Sequence, residues 1–111
     1  MLKKEHLIYN VPLAHRGLHD KENDENSVPA FLLAVNNGLG IELDVHVTRD
    51  NQIVVMHDQT TKRTMDGDLV VQNSTYDELK QLTFPNSKTK IPLLKEVNTI
   101  LLLMKIKHYQ D

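Results

Sequence analysis

Three short apolar runs, each typical of a β-strand, restrict the fold of this chain more than any other feature of its sequence. Residues 11–14, 41–48 and 53–56 are rich in aliphatic or β-branched side chains, and segments with helical patterns also occur along the chain. Strands that alternate with helices predict parallel strands joined by right-handed crossovers. The sequence therefore predicts an α/β fold in which the carboxyl ends of the strands share one edge of a sheet.

Local signals mark the ends of the predicted helices. Ser27 precedes a helix with an early proline, and a Gly-Leu-Gly run ends it. Thr75 and Glu78 have the spacing of a capping box, which predicts a short helix through Leu82. A further helix is expected over 92–104, with apolar residues on one face. Two tight turns are also expected, at Asp50-Asn51 and at Asp66-Gly67.

Length, charge and composition exclude several classes of function. The 111 residues allow one domain at most. A formal charge of -2, from 13 Lys and Arg against 15 Asp and Glu, removes the electrostatic case for nucleic-acid binding. The absence of cysteine excludes disulfides and thiolate metal sites. No apolar segment is long enough for a signal peptide or a membrane span. We therefore expect no integral membrane segment and a cytoplasmic location.

The second apolar run carries a pair of carboxylates. Glu42 and Asp44 lie two residues apart, so their side chains share one face, while Leu43 and Val45 can pack beneath helices on the other. Adjacent carboxylates raise each other's pKa, and a divalent cation removes that penalty. Oxygen ligands alone favour Mg²⁺ or Ca²⁺. The alternative is a solvated strand face without a metal, and His46 is expected at the rim or in solvent rather than as a ligand.

Two histidines and an arginine follow the predicted strands directly. His15 follows the first strand and His57 the third, and adjacent parallel strands end on the same side of a sheet. Histidine exchanges protons near neutral pH, so a pair on opposite sides of a phosphoester can act as general base and general acid. Arg16 can hold phosphate oxygens in a bidentate contact. The alternative for each histidine alone is a structural role at a strand end.

Five motifs in a fixed order carry a resemblance to a known family. With these motifs the chain resembles the glycerophosphodiester phosphodiesterase family, in particular its small soluble bacterial branch. The resemblance extends from about Leu13 to Met104. The motifs are Ala14-His15-Arg16-Gly17, Glu25-Asn26-Ser27 before Pro29-Ala30-Phe31, Gly38 through Val45, Val54 through Asp58 followed by Arg63-Thr64, and Ile91-Pro92-Leu93-Leu94-Lys95-Glu96.

The resemblance implies a TIM barrel that hydrolyses glycerophosphodiesters, which are small molecules, to glycerol 3-phosphate and an alcohol. It implies that His15 and His57 are the catalytic acid/base pair and that Arg16 contacts the substrate phosphate. It also implies that Glu42 and Asp44 bind a divalent cation, Mg²⁺ or Ca²⁺. Supporting roles around this site are expected for four further residues, Glu25, Asn26, Asp58 and Arg63.

The supporting residues have alternative interpretations. Asn26 either lines the site or belongs to a helix cap, whereas Ser27 is expected to be a cap. Asp58 and Arg63 either form an ion pair behind the catalytic residues or leave Arg63 in solvent.

The sequence departs from the family pattern after the last predicted helix. The family supplies a third metal-binding glutamate on a fourth strand, and residues 105–111 contain no glutamate. We therefore expect 1–111 to be the N-terminal portion of one barrel domain, with its first three βα units, truncated before strand four. Such a piece leaves an exposed sheet edge through which the chain can self-associate. The alternatives are an inactive truncated remnant of the enzyme and a related phospholipase-type phosphodiesterase barrel.

Overall fold

The computed structural model describes residues 12–110, and their side chains through residue 102. The first predicted strand was expected to begin at Val11, which lies outside the described residues. A strand, a helix and a strand alternate at first, but two further strands follow directly before the remaining helices, so the predicted alternation holds only at the start. In chain order the elements are β1 (Leu13–His15), α1 (Val28–Asn36), β2 (Gly40–Glu42), β3 (Val45–Val47), β4 (Ile53–Val55), a 3-10 turn (Val71–Asn73), α2 (Tyr76–Leu79) and α3 (Leu94–Gln110).

β1 and β2 form the parallel pair that the sequence predicts, with α1 as the crossover between them. His15 lies opposite Glu42 at the carboxyl end of this pair. The predicted strand 41–48 is interrupted, because Leu43 and Asp44 belong to no strand and separate β2 from β3. The Asp44 carbonyl instead accepts a hydrogen bond from the Met56 amide at 2.9 Å. This bond brings the residues that follow β4 to the carboxyl end of β2.

The third predicted strand pairs in the opposite direction from the one expected. β3 and β4 form an antiparallel hairpin in which Val47 lies opposite Ile53. Residues 48–52 alone connect these strands, whereas a parallel pair needs a crossover of about a dozen residues or more. Asn51 has φ 61° in the connection, which confirms the expected turn. The expectation of three mutually parallel strands was wrong for this pair, because the linker is too short for a crossover.

The ends of α1 and α2 follow their sequence signals. The Ser27 hydroxyl accepts a hydrogen bond from the Ala30 amide at 3.3 Å, which confirms Ser27 as the cap of α1. Thr75 and Glu78 form the predicted capping box at the start of α2. α2 ends at Leu79, however, three residues before the expected end, and a turn continues to Leu82.

The segment after β4 is a loop and not the two-residue hairpin expected at Asp66-Gly67. Its ends meet in an isolated antiparallel bridge between Thr60 and Val70. The side chain of Thr61, which is fully buried, organises the loop: its hydroxyl donates to the Gly67 carbonyl at 2.8 Å and accepts from the Leu69 amide at 2.9 Å. Side-chain bonds of this kind replace a strand ladder, which is why the turn signal was misleading.

α3 begins two residues after Pro92 and continues beyond residue 104, to Gln110. Residues 105–110, which lie beyond the predicted end of this helix, are therefore also helical. They contain neither glycine nor proline, so nothing in their sequence breaks a helix. Within residues 12–110, no helix combines the length and the apolar character needed to cross a membrane.

Val54 and Val55 bury both faces of β4, as its continuous apolar run predicts, whereas Ile53 at the start of the strand is exposed. Val55 packs in one cluster with Phe31 of α1 and Val97 of α3. Val54 faces a second cluster under the loops and α2. The buried members of that cluster are Val54, Met56, Met65, Val71, Leu79, Phe84 and Ile91.

The hairpin exposes an apolar surface that we call the hairpin face, formed by Val45, Val47 and Ile53. These residues are 45%, 50% and 45% exposed. Leu43 packs against the cluster around Val55, as expected. The expectation for Val45 was wrong, because the break after Leu43 places Val45 in the hairpin and not under a helix.

Candidate active site

The parallel pair brings the first candidate histidine to the first candidate carboxylate. Because His15 and Glu42 occupy the same register position, their side chains meet, with His15 Nε2 3.2 Å from Glu42 Oε1. Both side chains are about half exposed, at 61% and 49%. The contact is therefore open to a ligand at the carboxyl edge of the strands.

A tight turn places Arg16 over this edge. Arg16 and Gly17 both have positive φ, at 59° and 79°. The Gly17 amide donates to the Ala14 carbonyl at 3.1 Å. A Cβ at position 17 would lie 2.9 Å from the Cβ of Ala30. Glycine is thus required here for its backbone conformation and for the close approach of α1.

The Arg16 guanidinium lies between two carboxylates. Its Nη1 donates to Glu25 Oε2 at 3.1 Å. Its Nε lies 3.6 Å from Asp44 Oδ2, which is an ion pair in distance but too long for a hydrogen bond. Within the described residues this buried Nε has no hydrogen-bond partner. Positive charge for a phosphate is therefore present at the edge, close to both Glu25 and Asp44.

Asn26 lies beside Asp44 and is not the cap of α1, so its interpretation as a cap is wrong. It is 1% exposed and adopts φ 57°. Its backbone N–H donates to the Arg16 carbonyl at 2.8 Å, and its side-chain Nδ2 donates to Asp44 Oδ2 at 3.2 Å. Its Oδ1 is buried and accepts no hydrogen bond from the described part of the chain. Asn26 thus orients Asp44, while the neighbouring Ser27 caps the helix.

The second candidate histidine belongs to an ionic network. His57 Nδ1 lies 2.7 Å from Asp58 Oδ1. Asp58 accepts two hydrogen bonds from Arg63, at 2.8 and 3.0 Å. Arg63 donates two more to Glu25, at 2.8 and 2.9 Å. Since Glu25 also binds Arg16, the network extends from His57 to Arg16. Arg63 is an ion-pair partner, and its side chain is also 51% exposed, so the two interpretations hold together.

The charges of this network reinforce one another. Hydrogen bonds from Arg63, and a weaker one from His57, hold the pKa of Asp58 well below its usual range. Hydrogen bonds from Arg63 also lower the pKa of Glu25 against the opposing effect of burial, and the charge of Arg16 adds to the decrease. Both carboxylates in turn raise the pKa of Arg63, Glu25 first and then Asp58. All three groups are therefore charged at neutral pH.

Of the candidate metal ligands, Glu42 contacts His15 at the end of β1, and Asp44 contacts Arg16 in the turn that follows. In the described part of the chain, no three histidine, cysteine, aspartate or glutamate side chains are arranged to hold a metal ion. His46 does not join them, because its Nε2 lies 2.8 Å from the His57 carbonyl. The two carboxylates suit a hard cation in their chemistry. Such an ion takes about six oxygen ligands, which is more than two carboxylates supply, so other ligands would have to complete a site.

Asp24 was not singled out from the sequence, although it anchors a loop beside the site. Its carboxylate accepts hydrogen bonds from the Asn86 and Ser87 amides at 3.2 and 2.8 Å, and from Asn86 Nδ2 at 2.9 Å. The partners are more than 60 residues apart in sequence. No local pattern could have indicated this contact.

Comparison with known proteins places this geometry in a family. Residues 15–109 match the Glycerophosphoryl diester phosphodiesterase family. A glycerophosphodiester phosphodiesterase of Caldanaerobacter subterraneus subsp. tengcongensis is 45% identical over 71 residues, which are 63% of this chain and 29% of that protein. One of Bacillus altitudinis is 40% identical over 91 residues, which are 76% of this chain and 37% of that protein.

Solved structures show a similarity to the same family. A phosphodiesterase of Oleispira antarctica, in complex with the product sn-glycerol-3-phosphate, is similar with a TM-score of 0.77 and 30% identity over 85% of this chain and 40% of that one. The chain thus spans between 29% and 40% of the length of these relatives. The likeness confirms the α/β barrel fold class, of which the chain represents a part. On sequence and structure together, this chain belongs to the glycerophosphoryl diester phosphodiesterase family.

Proposed function

We propose that this chain contributes catalytic groups to the metal-dependent hydrolysis of glycerophosphodiesters to glycerol 3-phosphate and an alcohol. The observation that carries the proposal is the contact of His15 with Glu42 beside that of Arg16 with Glu25 and Asp44. Glu25 in turn is joined to His57 through Arg63 and Asp58. Membership of the family over residues 15–109 supports the choice of substrate.

In the proposed reaction His15 and His57 exchange the protons. One imidazole takes the proton of the attacking water or hydroxyl as its oxygen bonds to phosphorus. The other gives a proton to the alcohol oxygen as the phosphorus–oxygen bond to that alcohol breaks. Arg16 holds the phosphate oxygens and offsets the negative charge that grows on them.

Glu42 and Asp44 are the residues that would hold Mg²⁺ or Ca²⁺. When bound, such an ion polarises the phosphoryl oxygens as a Lewis acid. Asn26 donates to Asp44 Oδ2, and this bond leaves Oδ1 of the same carboxylate for the ion. The cytoplasmic location expected from the sequence is part of the proposal, and cell fractionation tests it.

An inactive remnant is the second candidate. This candidate is favoured because, among the described residues, no third histidine or acidic side chain joins Glu42 and Asp44 to form a metal site. Such a chain would keep the signature of the family without turnover.

Release of glycerol 3-phosphate from glycerophosphocholine by the purified chain, with Mg²⁺ or Ca²⁺, separates the two candidates. We expect His15→Ala and His57→Ala each to reduce the rate by a factor of about 100 or more. His19→Ala is the matched control, because His19 is exposed, and it should retain the rate. Absence of product under all conditions would contradict the hydrolysis and support the remnant. Equal measurable rates in all three variants would contradict the roles of His15 and His57.

A further inference from the structure

Arg63 lies between two carboxylates and makes a bidentate contact with each. Its Nε and Nη2 donate to the two oxygens of Asp58 at 2.8 and 3.0 Å. Its Nη1 and Nη2 donate to the two oxygens of Glu25 at 2.8 and 2.9 Å. A guanidinium carries its five donors in one plane, so two bidentate contacts fix both its position and its orientation.

Asp58 transmits this orientation to His57. Its Oδ1 accepts from His57 Nδ1 at 2.7 Å. An ionised carboxylate only accepts hydrogen bonds, so the ring nitrogen that faces it carries the proton. The Arg63 hydrogen bonds keep the pKa of Asp58 low, and the acceptor therefore persists at neutral pH. In the neutral imidazole the other ring nitrogen, Nε2, then keeps its lone pair.

Asp58 would not hold this position without Arg63. The aspartate adjoins His57 in the chain, and rotation about its own χ1 can turn the carboxylate into solvent. Arg63 binds both oxygens and prevents that rotation. Glu25 in turn restrains Arg63, and its side chain is only 13% exposed.

We propose that Arg63 is a positioning residue, which Glu25 restrains and which fixes Asp58 so that His57 keeps its proton on Nδ1 and presents Nε2 to the phosphodiester. The catalytic meaning of this tautomer rests on the proposed function, but the tautomer itself does not. Glu25 also binds Arg16, so the same network sets the position of the phosphate-binding group relative to His57.

Nitrogen-15 NMR of the histidine rings at alkaline pH measures the tautomer directly. The His57 signals are assigned by their loss in His57→Gln. In the unmodified chain we expect a roughly tenfold excess of the Nδ1–H form, as a charge-assisted hydrogen bond provides. In Arg63→Gln the excess should fall below about twofold, since that hydrogen bond is no longer held in place. Arg63→Lys should not restore it, because one ammonium group cannot make two bidentate contacts.

Arg49→Gln is the matched control. Arg49 makes a single exposed contact of 3.3 Å with Glu78, and its loss should leave the His57 tautomer unchanged. If Arg63→Gln does not fold, Glu25→Gln takes its place, because it removes a restraint on Arg63 and leaves Asp58 and His57 unchanged. The excess of the Nδ1–H form should decrease to the same extent.

An Nε2–H form in the unmodified chain would overturn the inference, as would an unchanged ratio in a folded Arg63→Gln or in the deciding Glu25→Gln. Turnover is measured separately. A chain that shows the Nδ1–H form but releases no glycerol 3-phosphate contradicts the proposed hydrolysis alone. A chain that releases product with its proton on Nε2 contradicts the positioning role alone.

Discussion

Two residues at the candidate site have backbone conformations that non-glycine residues rarely adopt. Arg16 and Asn26 both have positive φ, and the Asn26 amide donates to the Arg16 carbonyl. Such strain persists only where the surroundings determine the conformation, and it concentrates at functional sites. Asn26 also leaves a buried Oδ1 without a partner in the described part of the chain. Backbone strain and an unpaired polar atom therefore occur in the two residues that contact Asp44. Both lower the stability of the fold, and both accompany the fixed position of this carboxylate.

The ionic network should make stability depend on acidic pH. Arg63 lowers the pKa of both Asp58 and Glu25. A carboxyl group whose pKa is lower in the folded state stabilises the fold above its unfolded pKa, about 3.9 for Asp and 4.3 for Glu. That contribution is lost as the pH falls toward the folded pKa. We expect the free energy of unfolding, measured in urea, to decrease below about pH 4.5.

Arg63→Gln should weaken this dependence. Near neutral pH we expect it to lower the free energy of unfolding by about 1–2 kcal/mol, a value reduced for the partial exposure of Arg63. At pH 3 the difference from the unmodified chain should shrink, because pH 3 lies below the unfolded pKa of both carboxyl groups and part of the stabilisation by Arg63 is then lost. Arg49→Gln should follow the unmodified chain. A constant difference between pH 3 and pH 7 would show that the network does not act through these carboxylates.

At the scale of elements, the turn that joins β1 to the site should be the part of the backbone most sensitive to an added methyl group. Gly17 has φ 79°, and a Cβ there would lie 2.9 Å from Ala30 Cβ and from Phe31 Cδ1. Gly38 at the end of α1 has a similar φ of 73° but open space around it. We expect Gly38→Ala to lower the free energy of unfolding by about 1 kcal/mol, from backbone strain alone.

Gly17→Ala adds a steric clash to the same strain. It should lower the free energy of unfolding by about 2–5 kcal/mol. Urea unfolding of both variants checks the pair. Equal effects would mean that α1 moves aside freely, and the close approach of β1 and α1 would then be unimportant for stability.

The sequence predicted those elements whose signals are local. Ser27 and the Thr75–Glu78 pair set helix starts through bonds that reach no more than three residues. The continuous apolar run of β4 indicated burial on both faces. The helix over 92–104 was predicted without its extension, although residues 105–110 contain neither glycine nor proline to break it.

The remaining features depend on contacts between distant residues. The hairpin of β3 and β4 was missed because alternation of strands and helices was taken as general, although the linker between these two strands is short. The Glu25–Arg63 ion pair joins residues 38 positions apart, and no spacing rule reaches that far. The sequence therefore indicated which residues carry the chemistry, whereas the network that holds them follows only from the fold.

At the scale of the whole molecule, the core is divided and one sheet face is open. β4 contributes Val54 to one cluster and Val55 to the other, so a single short strand connects the two. A two-stranded hairpin is at best marginally stable by itself and needs a partner for its apolar face. The hairpin face offers three aliphatic side chains to solvent, and exposed strands of this kind pair with other chains.

We therefore predict that the chain self-associates through the hairpin face, with a second copy as the partner. Sedimentation velocity over a range of concentrations should show a mass that rises above that of the monomer. Val47→Lys should shift the chain toward the monomer, because burying a lysine in an apolar contact is unfavourable. Val70→Lys is the matched control: Val70 is 43% exposed but lies outside the hairpin face, so the same added charge should leave association unchanged. A chain that is monomeric at every concentration would contradict the prediction, and equal effects of the two lysines would assign any association to net charge and not to this face.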